Sequence, residues 1–193
     1  MRARIWAVVG LVGVVLIAQA LWIPAKAMLA HYLIAEAYAS SRSTGVAVAP
    51  WPWADTSPAG RLAVPKLDLE RYVLADASPR SLAFGPGLVR GYGEGSGGLS
   101  LAGHRDTHFA FLGDLAVGDV VRWEDRHGSR EFEITSRQIA DTRKHRLLAP
   151  ASNEMQLSTC WPLFDWEPRG PLRLLLTARE LSSKPAQSQP ASG

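Results

Sequence analysis

The chain of 193 residues has one cysteine, so no internal disulfide can form and Cys160 is either an inert core side chain or a free thiol. It follows the strand-like run Met155-Gln156-Leu157-Ser158-Thr159 and precedes Trp161-Pro162, which interrupts regular structure. Its sulfur therefore belongs at a strand end, where a loop begins. Nucleophilic sulfur chemistry needs the thiolate, and hence a proton acceptor or positive charge nearby. His104 ends the apolar stretch Leu99-Ser100-Leu101-Ala102-Gly103, again a strand-to-loop position, and is the natural partner. His108, just beyond, would serve equally if a helical turn starts there. The two together would suit a metal on a helix, but no third ligand and no other His or Cys cluster supports a zinc site. His31, His127 and His145 lie in a helix or in polar loops.

The cations nearest to Cys160 in the sequence beyond it are Arg169 and Arg173. Arg173 opens the run Leu172-Arg173-Leu174-Leu175-Leu176, which would lie beside the cysteine strand if the two form a hairpin. A guanidinium there can donate to a developing oxyanion or to a peptide backbone in a fixed fork geometry that lysine lacks. Residue types alone leave the plain alternatives standing: a buried cysteine, a loop histidine and a surface arginine.

The elements that must position these residues read mostly as strands. Between Gly60 and Leu181, strand signals cover Arg61–Leu67, Arg71–Leu74, Gly98–Gly103, Asp119–Glu124, Arg130–Ile139, Met155–Thr159 and Leu172–Ala178, with branched and aromatic side chains prominent. Short helical stretches fall only around Pro79–Phe84 and Thr107–Leu115. Seven or eight short strands without long helices predict a small all-β barrel or sandwich with its site on connecting loops.

Ahead of this domain, Ile5–Ile23 carries no charge. As a helix it just spans a bilayer core of roughly 30 Å. Arg2 and Arg4 precede it and would hold that end in the cytoplasm. The expected organisation is a transmembrane anchor over residues 1–24, a juxtamembrane helix and linker over 25–59, the catalytic domain over 60–181 and a disordered tail over 182–193. Ala25-Lys26-Ala27 also resembles a processing site, but the length of the apolar run and the helix-forming sequence beyond it favour a retained anchor. Trp51 and Trp53 in the linker would either pack on the domain or rest in the membrane interface. The whole net charge of +3 resides in residues 1–49, and the rest balances 17 basic against 17 acidic groups. A neutral domain with no basic stripe gives no electrostatic reason for a nucleic-acid partner.

Taken together, Leu101-Ala102-Gly103-His104-Arg105-Asp106, then Leu157-Ser158-Thr159-Cys160, then Arg173 heading an apolar strand, resemble the sortase family in the order His, Cys, Arg. The resemblance extends to Ala63-Val64-Pro65-Lys66-Leu67, to Leu82-Ala83-Phe84-Gly85-Pro86-Gly87 and to the Gly118-Asp119 turn, and so covers about residues 60–180. Thr107-His108-Phe109 and Gly170-Pro171-Leu172-Arg173 look more like the single-copy sortases of Gram-negative bacteria than the common Gram-positive housekeeping type. One departure is Gln156, which stands where the family pattern Thr-Leu-x-Thr-Cys has its first Thr.

The resemblance implies a closed sortase-type barrel behind an N-terminal transmembrane helix, facing the periplasmic side of the inner membrane as a single-pass protein. It implies a cysteine transpeptidase that needs no metal or other cofactor. Such an enzyme cleaves a C-terminal sorting peptide of a secreted protein through a Cys160 thioacyl intermediate and passes the acyl group to an amine. His104 would be the acid–base group and Arg173 the third member, preferred over Arg169 because it immediately precedes the apolar strand. Thr159, Arg169 and His108 are left as residues expected to contact the peptide. A peptidoglycan L,D-transpeptidase would have Gly where Thr159 stands, and a papain-like protease would place Cys before His. A thiol peptidase that only hydrolyses, and an anchored β-domain that binds a partner with an inert cysteine, are the competing functions.

Overall fold

Along β1 (Pro58–Val64) every second side chain is buried, the period of a strand with one face on a core. The computed structural model describes residues 2–89, 98–144, 149–163 and 170–181. After β1 come β2 (Leu69–Leu74), the short helix Pro79–Leu82, β3 (Gly87–Leu88), β4 (Leu99–Ala102), β5 (Val120–Asp125), β6 (Gly128–Asp141), β7 (Glu154–Cys160) and β8 (Leu172–Glu180). They close into a barrel in the order β1-β2-β3-β4-β7-β8-β6-β5, which leaves no open sheet edge. The expected all-β barrel of seven or eight strands is therefore what forms.

Two local differences from the sequence expectation have simple causes. The first strand stops at Val64 because Pro65–Leu67 winds into a 3-10 turn. Proline cannot donate to a ladder, and Asp68 then turns the chain back with φ 48°. The two-residue strand β3 carries no readable signal, yet it bridges β2 and β4 through Leu74↔Gly87 and Leu88↔Leu101. Only glycine fits at position 87, since a Cβ there would lie 2.1 Å from the Asp76 carbonyl oxygen.

The barrel is filled by Leu62, Val64, Leu101, Phe109, Val121, Trp123, Phe132, Ile134, Met155, Leu157, Leu174 and Leu176, among others. Phe109 follows the His104 turn, so the segment bearing the histidine is pinned by an aromatic ring that is 0 % exposed. Burying such a ring stabilises by about 1.5–3 kcal/mol.

Before the barrel a single helix, α1, runs from Arg2 to Thr44 with Pro24 inside it. It is long and apolar enough to cross a membrane, and none of its most apolar window is covered by the barrel. Further along, Ala30, Ile34, Ala37 and Tyr38 are buried. The Tyr38 hydroxyl donates to the Glu124 carbonyl at 3.1 Å, and Arg42 forms an ion pair with the Glu124 carboxylate. The second half of α1 is thus docked on the barrel. The expected tail, residues 182–193, lies outside the described residues.

Candidate functional site

The strand β7 alternates strictly: Met155, Leu157 and Thr159 point into the barrel, and the half-buried Cys160 points out at the strand's end. On one side β8 runs antiparallel, and Cys160 and Arg173 are direct cross-strand partners. Partners of this kind project their side chains from the same face of the sheet. The ladder continues one step further, where the Trp161 N–H donates to the Leu172 carbonyl at 3.0 Å.

On the other side β4 runs parallel to β7, with Ala102 level with Ser158. The Gly103 N–H donates to the Ser158 carbonyl at 3.2 Å. The Thr159 hydroxyl donates to the Gly103 carbonyl at 2.8 Å and is buried in doing so. His104, the next residue, is exposed and emerges at the same barrel end as Cys160. The absence of a side chain at Gly103 is required here, because a Cβ would meet the Phe109 ring at 2.7 Å. Cys160 and Arg173, in β7 and β8, and His104, two residues past the end of the adjacent β4, are therefore at one rim.

Two further contacts fix that rim. Arg173 Nη1 donates to the carbonyls of Gly170 at 2.8 Å and Leu172 at 2.9 Å, which holds the guanidinium base against the start of β8. Arg105 Nη1 donates to the Pro162 carbonyl at 2.7 Å, tying the loop after His104 to the loop after Cys160. A long cation following a His in sequence carries no hint of this bridge, so Arg105 is a positioning contact that residue types could not reveal. A cavity of about 450 Å³ lies beside Trp161, between Pro162, Gly113 and Arg137.

His108 goes elsewhere. The Phe109 N–H donates to the His104 carbonyl at 2.9 Å, which closes a turn rather than a helix, so the two imidazoles do not share a helical face and the His-x-x-x-His metal arrangement is not built. His108 is half-buried instead against α1, its ring 6.3 Å from that of His31. Burial pushes its pKa below the usual histidine value, and the neighbouring His31 pushes the same way. Both rings, with His104, Arg71, Asp106 and Phe84, line a cavity of about 710 Å³ between α1 and the barrel. Among the described residues no group of three or more His, Cys, Asp or Glu is arranged to hold a metal. Arg169 and His145 lie outside the described residues.

The wall of that cavity over Leu82–Phe84 is held by Asp76. Burial alone would raise its carboxyl pKa, but hydrogen bonds from the Ser78 N–H and from Ser81 outweigh that and hold it down to about 2.

The chain is 28% identical over 127 residues to Sortase D of Bacillus subtilis, a match covering 64% of each chain. Its barrel superposes on Sortase A from Corynebacterium diphtheriae with a TM-score of 0.57 at 21% identity, over 69% of this chain and 65% of that one. Sortase C1 of Streptococcus agalactiae gives 0.55 at 20% identity, over 63% and 66%. In all three the shared part is less than two thirds of the relative's own length. The sequence profile of the Sortase domain matches residues 62–181, which runs from β1 through the end of β8, and the chain belongs to the sortase family.

Proposed function

We propose that the protein is a membrane-anchored cysteine transpeptidase in which Cys160 is the nucleophile, His104 the acid–base group and Arg173 the cationic third member. The observation that supports this reading is the setting of β7 between two neighbours: Cys160 faces Arg173 across the β8 ladder, and on the other side Thr159 is bonded to Gly103, the residue before His104. Family membership supports the reaction class, and the α1 helix supports attachment to a membrane.

The Cys160 thiolate attacks the carbonyl carbon of the scissile peptide and forms a C–S bond. The negative charge that develops on the carbonyl oxygen is met by the Arg173 guanidinium. The C–N bond then breaks, its electron pair going to nitrogen, and His104 as imidazolium gives that nitrogen a proton. A thioester remains on Cys160. An incoming amine attacks it and loses a proton to His104; a new amide forms and the thiolate leaves. Water in place of the amine would give hydrolysis through the same first step. The peptide is a C-terminal sorting segment of a secreted protein, and the domain works on the extracytoplasmic face of the cytoplasmic membrane.

The test is thiol-directed alkylation of the folded full-length protein, followed by mass spectrometry of thioester adducts trapped in the native host. Alkylation of Cys160 before denaturation, slowed by His104→Ala, and a Cys160-linked peptide are expected. A Cys160 that reacts only after unfolding would assign the domain to binding rather than catalysis.

A further inference from the structure

Among the described residues, one apolar surface beside the anchor is left uncovered. Trp22, Lys26, Leu29 and Leu33 recur at spacings of three and four along α1, so they form one stripe on the helix. Its lower end belongs to the apolar run, where Trp22 and Ile23 are 62% and 75% exposed, and Lys26 Nζ lies 5.0 Å above the Trp22 ring. Its upper end is one wall of an open cavity of about 630 Å³ whose other walls include Trp51, Trp53, Phe84 and Arg80. The edge of Trp51 packs on Phe84 at 5.0 Å between centroids. Trp53 is 83% exposed and Leu29 57%. Arg80 is paired with Asp55 at 3.3 Å, both well exposed.

A large aromatic and aliphatic patch rimmed by cations marks a contact surface, and the height of this one singles out its occupant. Lys26 and Leu29 lie three and six residues beyond Ile23, roughly 5 and 9 Å along the helix axis. The headgroup layer of a leaflet is about 5–8 Å thick. The second half of α1 is docked on the barrel through Ile34, Ala37 and Tyr38, and the barrel therefore begins close above the end of the apolar run. Tryptophan favours this depth, with its ring among chain ends and its N–H in water. Lys26 and Arg80 against the single acid Asp55 leave a positive balance where anionic phosphates would be.

Resting on the reading of α1 as a membrane span, we propose that this surface is a bilayer seat. Trp53, Leu29 and Phe84 lie in the interface of the leaflet from which α1 emerges, and Lys26 and Arg80 meet the phosphates of anionic phospholipids. The seat gives the barrel one orientation on the membrane. The neighbouring cavity shares Ala30, Ala83 and Phe84 with it and is lined by His104, so the histidine side of the rim adjoins the seat.

The test uses the full chain in vesicles of phosphatidylcholine and phosphatidylglycerol at three to one, with and without 5-doxyl phosphatidylcholine. Tryptophan quenching is compared for the wild type, Trp22→Phe and Trp53→Phe. Each substitution is expected to remove a comparable share of the quenchable emission. The double variant K26E/R80E should lower the Trp53 share about twofold, an effect confined to vesicles that contain the anionic lipid. If Trp22→Phe removes quenching and Trp53→Phe does not, the anchor stands and the seat is wrong. If neither does, the membrane span itself has failed and the seat with it. A Trp53 environment that follows the protein-to-lipid ratio and not the doxyl content would assign the surface to a second copy of the chain and overturn the proposal.

Discussion

The Thr159 hydroxyl donates a 2.8 Å hydrogen bond to the Gly103 carbonyl, joining the residue before Cys160 to the residue before His104. Both groups are buried, so the bond cannot be exchanged for water without cost. Replacing Thr159 with Val keeps the shape and leaves the Gly103 carbonyl without this donor. The expected loss is about 1–3 kcal/mol in denaturant unfolding, with a fall in the rate of Cys160 acylation. Thr159→Ser should recover most of both. Equal acylation rates for the Val variant and the wild type would show that the bond does not position the rim.

Arg173 stands opposite Cys160 in the β7–β8 ladder, and its side chain already spends Nη1 on two backbone carbonyls. A lysine cannot hold those carbonyls and still present a planar fork. Arg173→Lys is therefore expected to cut the rate of thioester formation by about 10²–10³-fold, with a circular dichroism spectrum like that of the wild type. A lysine variant with near wild-type rates would move the role to another cation, with Arg169 the first to examine.

His108 makes stability depend on pH. Burial lowers its folded pKa, with His31 adding to the effect and Arg71 and His104 acting in the same sense, against a hydrogen bond to the backbone of Ala83. Below the usual histidine value the unfolded chain therefore binds the proton more readily than the folded one. The stabilisation is present above about pH 6.5 and is lost as pH falls below it. Between pH 7.5 and 5.5 the melting temperature should drop by about 2–4 °C for each kcal/mol lost. In His108→Gln the drop should be clearly smaller; an unchanged pH profile would place the acid sensitivity elsewhere.

How much of this was legible in the sequence follows from how local each signal is. The alternation through Met155–Thr159 and the break at Trp161-Pro162 were enough to put Cys160 at a strand end, where it lies. The Gly103-His104 junction read as strand-to-loop from a short apolar run bounded by glycines, and the run opened by Arg173 was expected beside the cysteine strand only if the two formed a hairpin, which they do. The parallel pairing of β4 with β7 joins segments more than 50 residues apart, and no periodicity announces such a partnership. The missed elements are those held by other parts of the fold. The strand β3 is too short to show a period, and its register depends on a backbone crossing at Asp76. The different fates of His104 and His108 depend on a turn over Phe109 and on the docking of α1, so residue types left them interchangeable. Of the two linker tryptophans, Trp51 packs edge-on against Phe84, while Trp53 is exposed.

The pairing of β4 with β7 as parallel neighbours has a consequence in time as well as space. Parallel strands cannot be joined by a tight hairpin, and the chain between Ala102 and Ser158 must first lay down β5 and β6 on the far side of the barrel. β8 then has to slot between β6 and β7 before Cys160 meets Arg173. Contacts so distant along the chain form late, because the entropy of closing large loops is lost before they reward it. Until β8 is inserted between β6 and β7, Cys160 therefore stands at its strand end without the cross-strand neighbour Arg173.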